Sequence, residues 1–378
     1  MKNTKTRVLV GLILSFYTLC GVFSTSASAM TTVSCEAQST ASYTTLEENE
    51  QYTQVLSDGV TVGSRILELL FGKDKEKTKV LAVGGGIFGI KLKQSQVSVV
   101  EARGIPALSS GDIILSVNGK EIKSADDVRR AVASSGGESV TVRALHKGQK
   151  IALELRPSLE DGEYKLGITL RDMAAGIGTI TFIDPETRFF GGLGHGICDG
   201  DTGEVISMES GEVTGALLGG IHKGEAGKPG ELTGILTDSK SGTLITNSEC
   251  GVFGYLYKIP EGAKILEVAT SSEVQEGEAT ILSTVKNGGS AEYKIEIFDI
   301  DRQSSGSKSF KIRVTDETLK ALTGGIVRGM SGSPIIQNGK LVGAVTHVLV
   351  ANPTEGYGIF IENMLNASNA RNELPRAA

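Results

Sequence analysis

Ser331 stands in the run Gly329-Met330-Ser331-Gly332-Ser333-Pro334. A serine framed by glycines in this way can serve as an acyl-transfer nucleophile. Such chemistry also needs a base for the hydroxyl proton, a group to orient that base, and donors for the oxyanion. Flanking glycines let the backbone turn tightly enough for the N–H groups of Gly329 and Ser331 to act as those donors. Ser333 is a rival nucleophile, although the pattern G-x-S-G-x-P puts the reactive side chain at the first serine. A glycine-rich turn ahead of a strand is the plain alternative.

Only four histidines can supply the base: His146, His195, His222 and His347. His146 falls in a hairpin turn and is expected to face solvent. His222 precedes the polar Lys223-Gly224-Glu225, and His347 lies in an apolar strand. His195, in Gly192-Leu193-Gly194-His195-Gly196, has little bulk on either side, which suits an imidazole facing a cleft. It is favoured, with His222 and His347 left as alternatives. Asp199, Asp201 and Asp316 all remain open as the carboxylate. His195, Cys198, Asp199 and Asp201 could instead ligate a metal, but no established ligand spacing supports that, and neither metal nor cofactor is expected. A Cys198 thiolate working with His195 is disfavoured, because near neighbours on an extended segment do not form a direct pair.

The elements around these residues are short. The chain has 378 residues, 49 of them glycine, with no tryptophan and a formal net charge of −6. That much glycine argues against a helical bundle, and the acidic balance argues against nucleic acid as a partner. Lys2, Lys5 and Arg7 precede an apolar run, Val8 to Phe23, and Ala27-Ser28-Ala29 fits a signal-peptidase site. Residues 1–29 therefore read as a signal peptide or N-terminal anchor, and 30–78 as a polar linker closed by the charge block from Lys73 to Lys77. Of the cysteines beyond that segment, Cys198 with Cys250 is the one disulfide pairing to test; the odd count, Cys35 included, indicates no framework.

From residue 79 to 158 the pattern reads as one compact unit. An apolar strand ends in an Asn118-Gly119 turn, Ser124 caps a helix with Asp126 and Asp127 in its first turn, and two strands meet at Lys147-Gly148. Beyond Leu166, alternating strands such as Tyr293-Ile295-Ile297 and Phe310-Ile312-Val314, separated by glycine-rich turns, predict an all-β sandwich or barrel.

Arg171-Asp172-Met173-Ala174-Ala175-Gly176-Ile177-Gly178-Thr179, Leu193-Gly194-His195-Gly196, Gly324 to Ile336, and Gly343-Ala344-Val345-Thr346-His347-Val348 together resemble the stage IV sporulation protein B peptidases of spore-forming Firmicutes. The resemblance implies a mainly β fold, with a PDZ domain over 79–158 followed by a chymotrypsin-like double β-barrel peptidase over 159–378. It implies Ser331, His195 and Asp316 as the catalytic set. It makes Ile87-Phe88-Gly89-Ile90 the PDZ loop that holds the carboxylate of a C-terminal peptide. It further implies an exported serine endopeptidase, acting between forespore and mother-cell membranes. Such an enzyme cleaves itself and a membrane-bound regulator of an intramembrane protease, and so activates a late sigma factor. The competing expectation is a non-catalytic scaffold whose PDZ unit recruits a membrane partner.

Overall fold

The computed structural model describes residues 79–369. The targeting segment, the polar linker, Cys20 and Cys35 lie outside them. Within them no helix is long and apolar enough to cross a membrane.

Two six-stranded barrels organise the chain. The first is built from β2 (Ile87–Ala102), β9 (Ile168–Ile183), β10 (Phe189–Gly192), β11 (Met208–His222), β12 (Glu231–Ser248) and β13 (Gly251–Leu256). Pairing runs β9-β10-β13-β12-β11-β2 and closes because β2 pairs β9 again, from Ile87↔Thr179 to Ala102↔Ile168. Closure removes the exposed edges that an open sheet would leave. Phe88, Ile90, Leu92, Phe190, Val213 and Val252 fill its interior.

The second barrel has the order β15 (Gly277–Ser283), β16 (Ala291–Phe298), β17 (Phe310–Val314), β20 (Asn352–Phe360), β19 (Lys340–Leu349) and β18 (Pro334–Gln337). The expected alternation is present: Tyr293, Ile295 and Ile297 point inward, as do Phe310, Ile312 and Val314. Phe182 and Phe253 of the first barrel pack with Leu341, Ala344 and Ile359 of the second and with helix α3 (Ile361–Asn369). β1 (Val80–Val83) pairs β14 (Ile265–Glu267) and β9.

The third unit hangs from the two longest shared strands. Beyond the register shift after Lys93, β2 leaves β11 and pairs β3 (Ile113–Val117), while β9 keeps it company to Ala102. Added to these are β4 (Lys120–Glu121), helix α1 (Ala125–Ala133), β5 (Val140–His146), β6 (Gln149–Leu155) and the small hairpin β7 (Ser158–Glu160) with β8 (Glu163–Lys165). Val97, Val99, Ile114, Val128, Val132 and Val142 form its separate core. Ser124 caps α1 by accepting from the Asp127 N–H at 3.2 Å, and Asn118-Gly119 and Lys147-Gly148 both take left-handed φ values, as the sequence reading expects.

One expectation needs correcting. Ile87, Phe88, Gly89 and Ile90 do not form a ligand loop. They lie inside β2, all four paired to β9 and Gly89 and Ile90 also to β11, and Phe88 is only 2 % exposed in the core of the first barrel. Residues 80–92 thus pack with the barrels, and the core of the third unit begins at Val97.

Candidate active site

A cleft of about 500 Å³ opens where the two barrels meet. One wall is Ala174 to Ile177 of β9 with Leu193, His195 and Cys198 from the first barrel. The other is Ile326 to Gly329, Ser331, Thr346 and His347 from the second.

Two loops are held in register by one strand. Thr179 of β9 donates its N–H to the Ser331 carbonyl at 3.0 Å and its hydroxyl to the Gly329 carbonyl at 3.0 Å. The Thr179 carbonyl in turn accepts from the Leu193 N–H at 3.2 Å. Thr181 adds a bond to the Gly332 carbonyl at 2.8 Å. The loops then touch directly at Gly332, whose φ is +92°. A Cβ there would lie 2.1 Å from the Thr179 carbonyl oxygen and 2.5 Å from the Leu193 nitrogen. Glycine is required by both the left-handed backbone and the absence of space.

Ser331 is half-buried, and its Oγ donates to the carbonyl of Thr346 at 2.8 Å. Neither the Gly329 nor the Ser331 N–H donates to any partner among the described residues, so both are available to an oxyanion. His195 lies in the same cleft, on the short loop after β10, where Leu193 and Gly194 take φ values of +66° and +69°. Its Nδ1–H donates to the Gly196 carbonyl at 2.8 Å. That bond fixes the tautomer and leaves Nε2 with a lone pair for a proton. Burial holds the His195 pKa below the usual imidazole value, partly countered by the Gly196 bond.

The structure brings Ser331 and His195 to one cleft and does not bring Asp316. Asp316 is the N-cap of helix α2 (Glu317–Thr323), with its carboxylate accepting from the Leu319 N–H at 2.9 Å and the Lys294 N–H at 3.3 Å. It lines a separate depression with Lys286, Tyr293 and Thr318. An Asp just ahead of a short helix is a natural cap, and that local role accounts for its position. Asp199 and Asp201 are also engaged elsewhere: both face Arg171 of β9, at 3.0 and 3.5 Å. Among the described residues no carboxylate lines the cleft.

The remaining histidines separate clearly. His222 ends β11 and is exposed. His146 is half-buried rather than solvent-facing, with Nδ1 2.8 Å from the buried Asp112 carboxylate. His347 shares the cleft, its ring centroid 4.9 Å from that of His195. Cys198 and Cys250 are free thiols, so the disulfide considered from the sequence does not form. Among the described residues no group of three or more His, Cys, Asp or Glu is placed to hold a metal.

A second groove of about 830 Å³ lies between α1 and the start of β9, lined by Val128, Val132, Tyr164, Leu166, Gly167 and Ile168. At residues 168–171 β9 pairs only with β2, so its other edge faces this groove. Gly167 has φ +70° and its carbonyl accepts from Arg103.

Residues 162–365 match the SpoIVB peptidase S55 family, more than half of the chain. The chain belongs to the SpoIVB peptidase S55 family. It is a serine peptidase, and residues 107–145 match a PDZ domain, which identifies the third unit. No curated protein matches the chain. Several solved structures are similar in part to this SpoIVB-family peptidase. The PDZ domain of an SdrC-like protein from Listeria monocytogenes is 21% identical, covering 21% of this chain and 87% of that one, at a TM-score of 0.18. The active form of the Rv3671c protease from M. tuberculosis is 13% identical, covering 66% and 87%, at 0.31. The HtrA-type protease AlgW with a decapeptide is 9% identical, covering 77% and 66%, at 0.34. These likenesses are partial; the double barrel stands on its own strand pairing.

Proposed function

We propose that this SpoIVB-family peptidase is an endopeptidase in which Ser331 is the nucleophile and His195 the base. The observation that carries the reading is the shared cleft: a glycine-framed serine, a neutral imidazole and two unengaged N–H groups. The Ser331 hydroxyl exchanges the Thr346 carbonyl for His195 Nε2. Its oxygen attacks a peptide carbonyl carbon as the proton passes to His195, and the oxyanion is received by the N–H groups of Gly329 and Ser331. His195 then returns the proton to the departing amine, and water repeats the sequence to release the acyl group.

The family resemblance supports a signalling role outside the cytoplasm during sporulation. The substrates are then the chain itself and a membrane-bound regulator of an intramembrane protease, whose cleavage leads to late sigma-factor activation. The groove beside α1 would take a C-terminal peptide as an added strand on β9, its carboxylate at the Leu166-Gly167-Ile168 turn. The deciding experiment is self-cleavage by the purified full chain. Ser331→Ala is expected to abolish it. Self-cleavage that survives this substitution refutes the nucleophile, and full signalling by the Ser331→Ala chain in cells would favour a non-catalytic scaffold.

A further inference from the structure

The cleft holds a second imidazole that the reaction above leaves idle. His347 lies on β19, beside Thr346, so consecutive residues of one strand approach both reacting groups. The Thr346 carbonyl accepts from Ser331, and the His347 ring stands 4.9 Å from the His195 ring at an angle of 38°. The His347 Nδ1 is shielded from solvent and has no hydrogen-bond partner among the described residues. An orphaned buried nitrogen is costly unless some state of the protein satisfies it. A base that becomes positively charged needs an acceptor for its second N–H; at rest the neutral Gly196 carbonyl is that acceptor, and among the described residues no carboxylate lines the cleft to strengthen it. Rings at this spacing need only turn about their Cβ–Cγ bonds to bring facing nitrogens within the roughly 3 Å of a hydrogen bond.

We propose that His347 is the positioning residue for His195, its neutral Nδ1 accepting the N–H opposite the nitrogen that takes the Ser331 proton. The proposal rests on the Ser331–His195 reading above. The proton balance closes: one proton moves from Ser331 to His195, the other N–H of the imidazolium donates to His347, and His347 keeps its own proton on Nε2. In the resting arrangement the Gly196 carbonyl takes the His195 N–H. Burial, then His195 and then Lys308, push the His347 pKa down to about 4, which keeps its acceptor free at neutral pH. Among the described residues, the other ionisable groups lining the cleft are Arg328 and Cys198, and no acid lines it.

The test uses the full chain and fluorescently labelled, denatured casein. His347→Ala is expected to lower kcat by about 100-fold or more while KM stays within about threefold, with an unchanged melting temperature. His347→Asp, which restores an acceptor, is expected to recover at least about tenfold over the alanine variant, with the acid limb of the pH profile moved. A His347→Ala chain within about threefold of wild-type kcat overturns the proposal. So do alanine and aspartate variants that lose activity alike, in step with lost thermal stability. A wild type whose hydrolysis equals that of Ser331→Ala would sink the peptidase reading itself. The His195 titration, followed by NMR in wild type and His347→Gln, then decides separately. A shift of about half a pH unit or more upholds the contact, and coincident curves overturn it.

Discussion

The Ser331 hydroxyl donates to the backbone carbonyl of Thr346, so the proposed nucleophile is held by the strand that also carries His347. In the proposed reaction, attack requires that bond to be exchanged for one to His195. A fluorophosphonate probe should therefore label Ser331 slowly in the free protein. Labelling should vanish in Ser331→Ala and fall by roughly 10³-fold or more in His195→Ala, with melting temperatures close to wild type. Intact-mass spectrometry reads all three chains.

The acid side of the pH profile follows from burial. Burial holds the His195 pKa below the ordinary 6.5, so its protonation is displaced to lower pH. The acid limb of kcat/KM is expected below pH 6.5, and a limb at 7 or above would contradict the buried imidazole. Stability moves in a related way. His347 is pushed down to about 4, so between pH 4 and 6.5 the unfolded chain binds more protons at this residue than the folded one. Stability then rises with pH across that window and is lost as pH falls through it. His347→Gln should flatten this slope in urea titrations at pH 4.5, 5.5 and 6.5.

Asp316 should behave as a helix cap. Burial pushes its pKa up, but the backbone N–H groups of Leu319, Lys294 and Thr318 outweigh this and hold it below the usual carboxylate value. Asp316→Ala is expected to cost about 0.5–2 kcal/mol of stability, and casein hydrolysis below the melting transition should stay near wild type. A loss of kcat by orders of magnitude without loss of stability would instead bring Asp316 into catalysis.

Gly332 tests how tightly the two loops abut. A methyl group at this position would meet the Thr179 carbonyl oxygen and the Leu193 nitrogen, both backbone atoms, on a left-handed backbone. Gly332→Ala should either unfold the second barrel or separate the Ser331 and His195 loops. Both outcomes abolish phosphonate labelling, and circular dichroism tells them apart.

Phe88 tests whether Ile87 to Ile90 serve the first barrel rather than a peptide ligand. It sits in the first barrel against Phe190, ring centroids 5.7 Å apart. Phe88→Ala should cost about 3–5 kcal/mol of stability. It should leave C-terminal peptide binding, measured by fluorescence polarisation on the folded fraction, unchanged.

The sequence by itself determined what local rules govern. Asn118-Gly119 and Lys147-Gly148 turned as left-handed dipeptides must, Ser124 capped its helix, and the period-two alternation at Tyr293, Ile295 and Ile297 chose the face that became core. The glycine-framed Ser331 and the lightly flanked His195 were legible because their neighbours are small. Only the tertiary structure decided which groups meet. Asp316 was drawn to a helix N-terminus by the N–H groups of Thr318 and Leu319, two and three residues away. His347 was brought beside His195 by two barrels that come from distant stretches of chain. Ile87 to Ile90 looked like a ligand loop, yet the closing of β2 onto β9 buried it. Pairing between strands some eighty positions apart leaves no local trace in either strand, so the register of β2 and β9, and with it the make-up of the cleft, belongs to the fold.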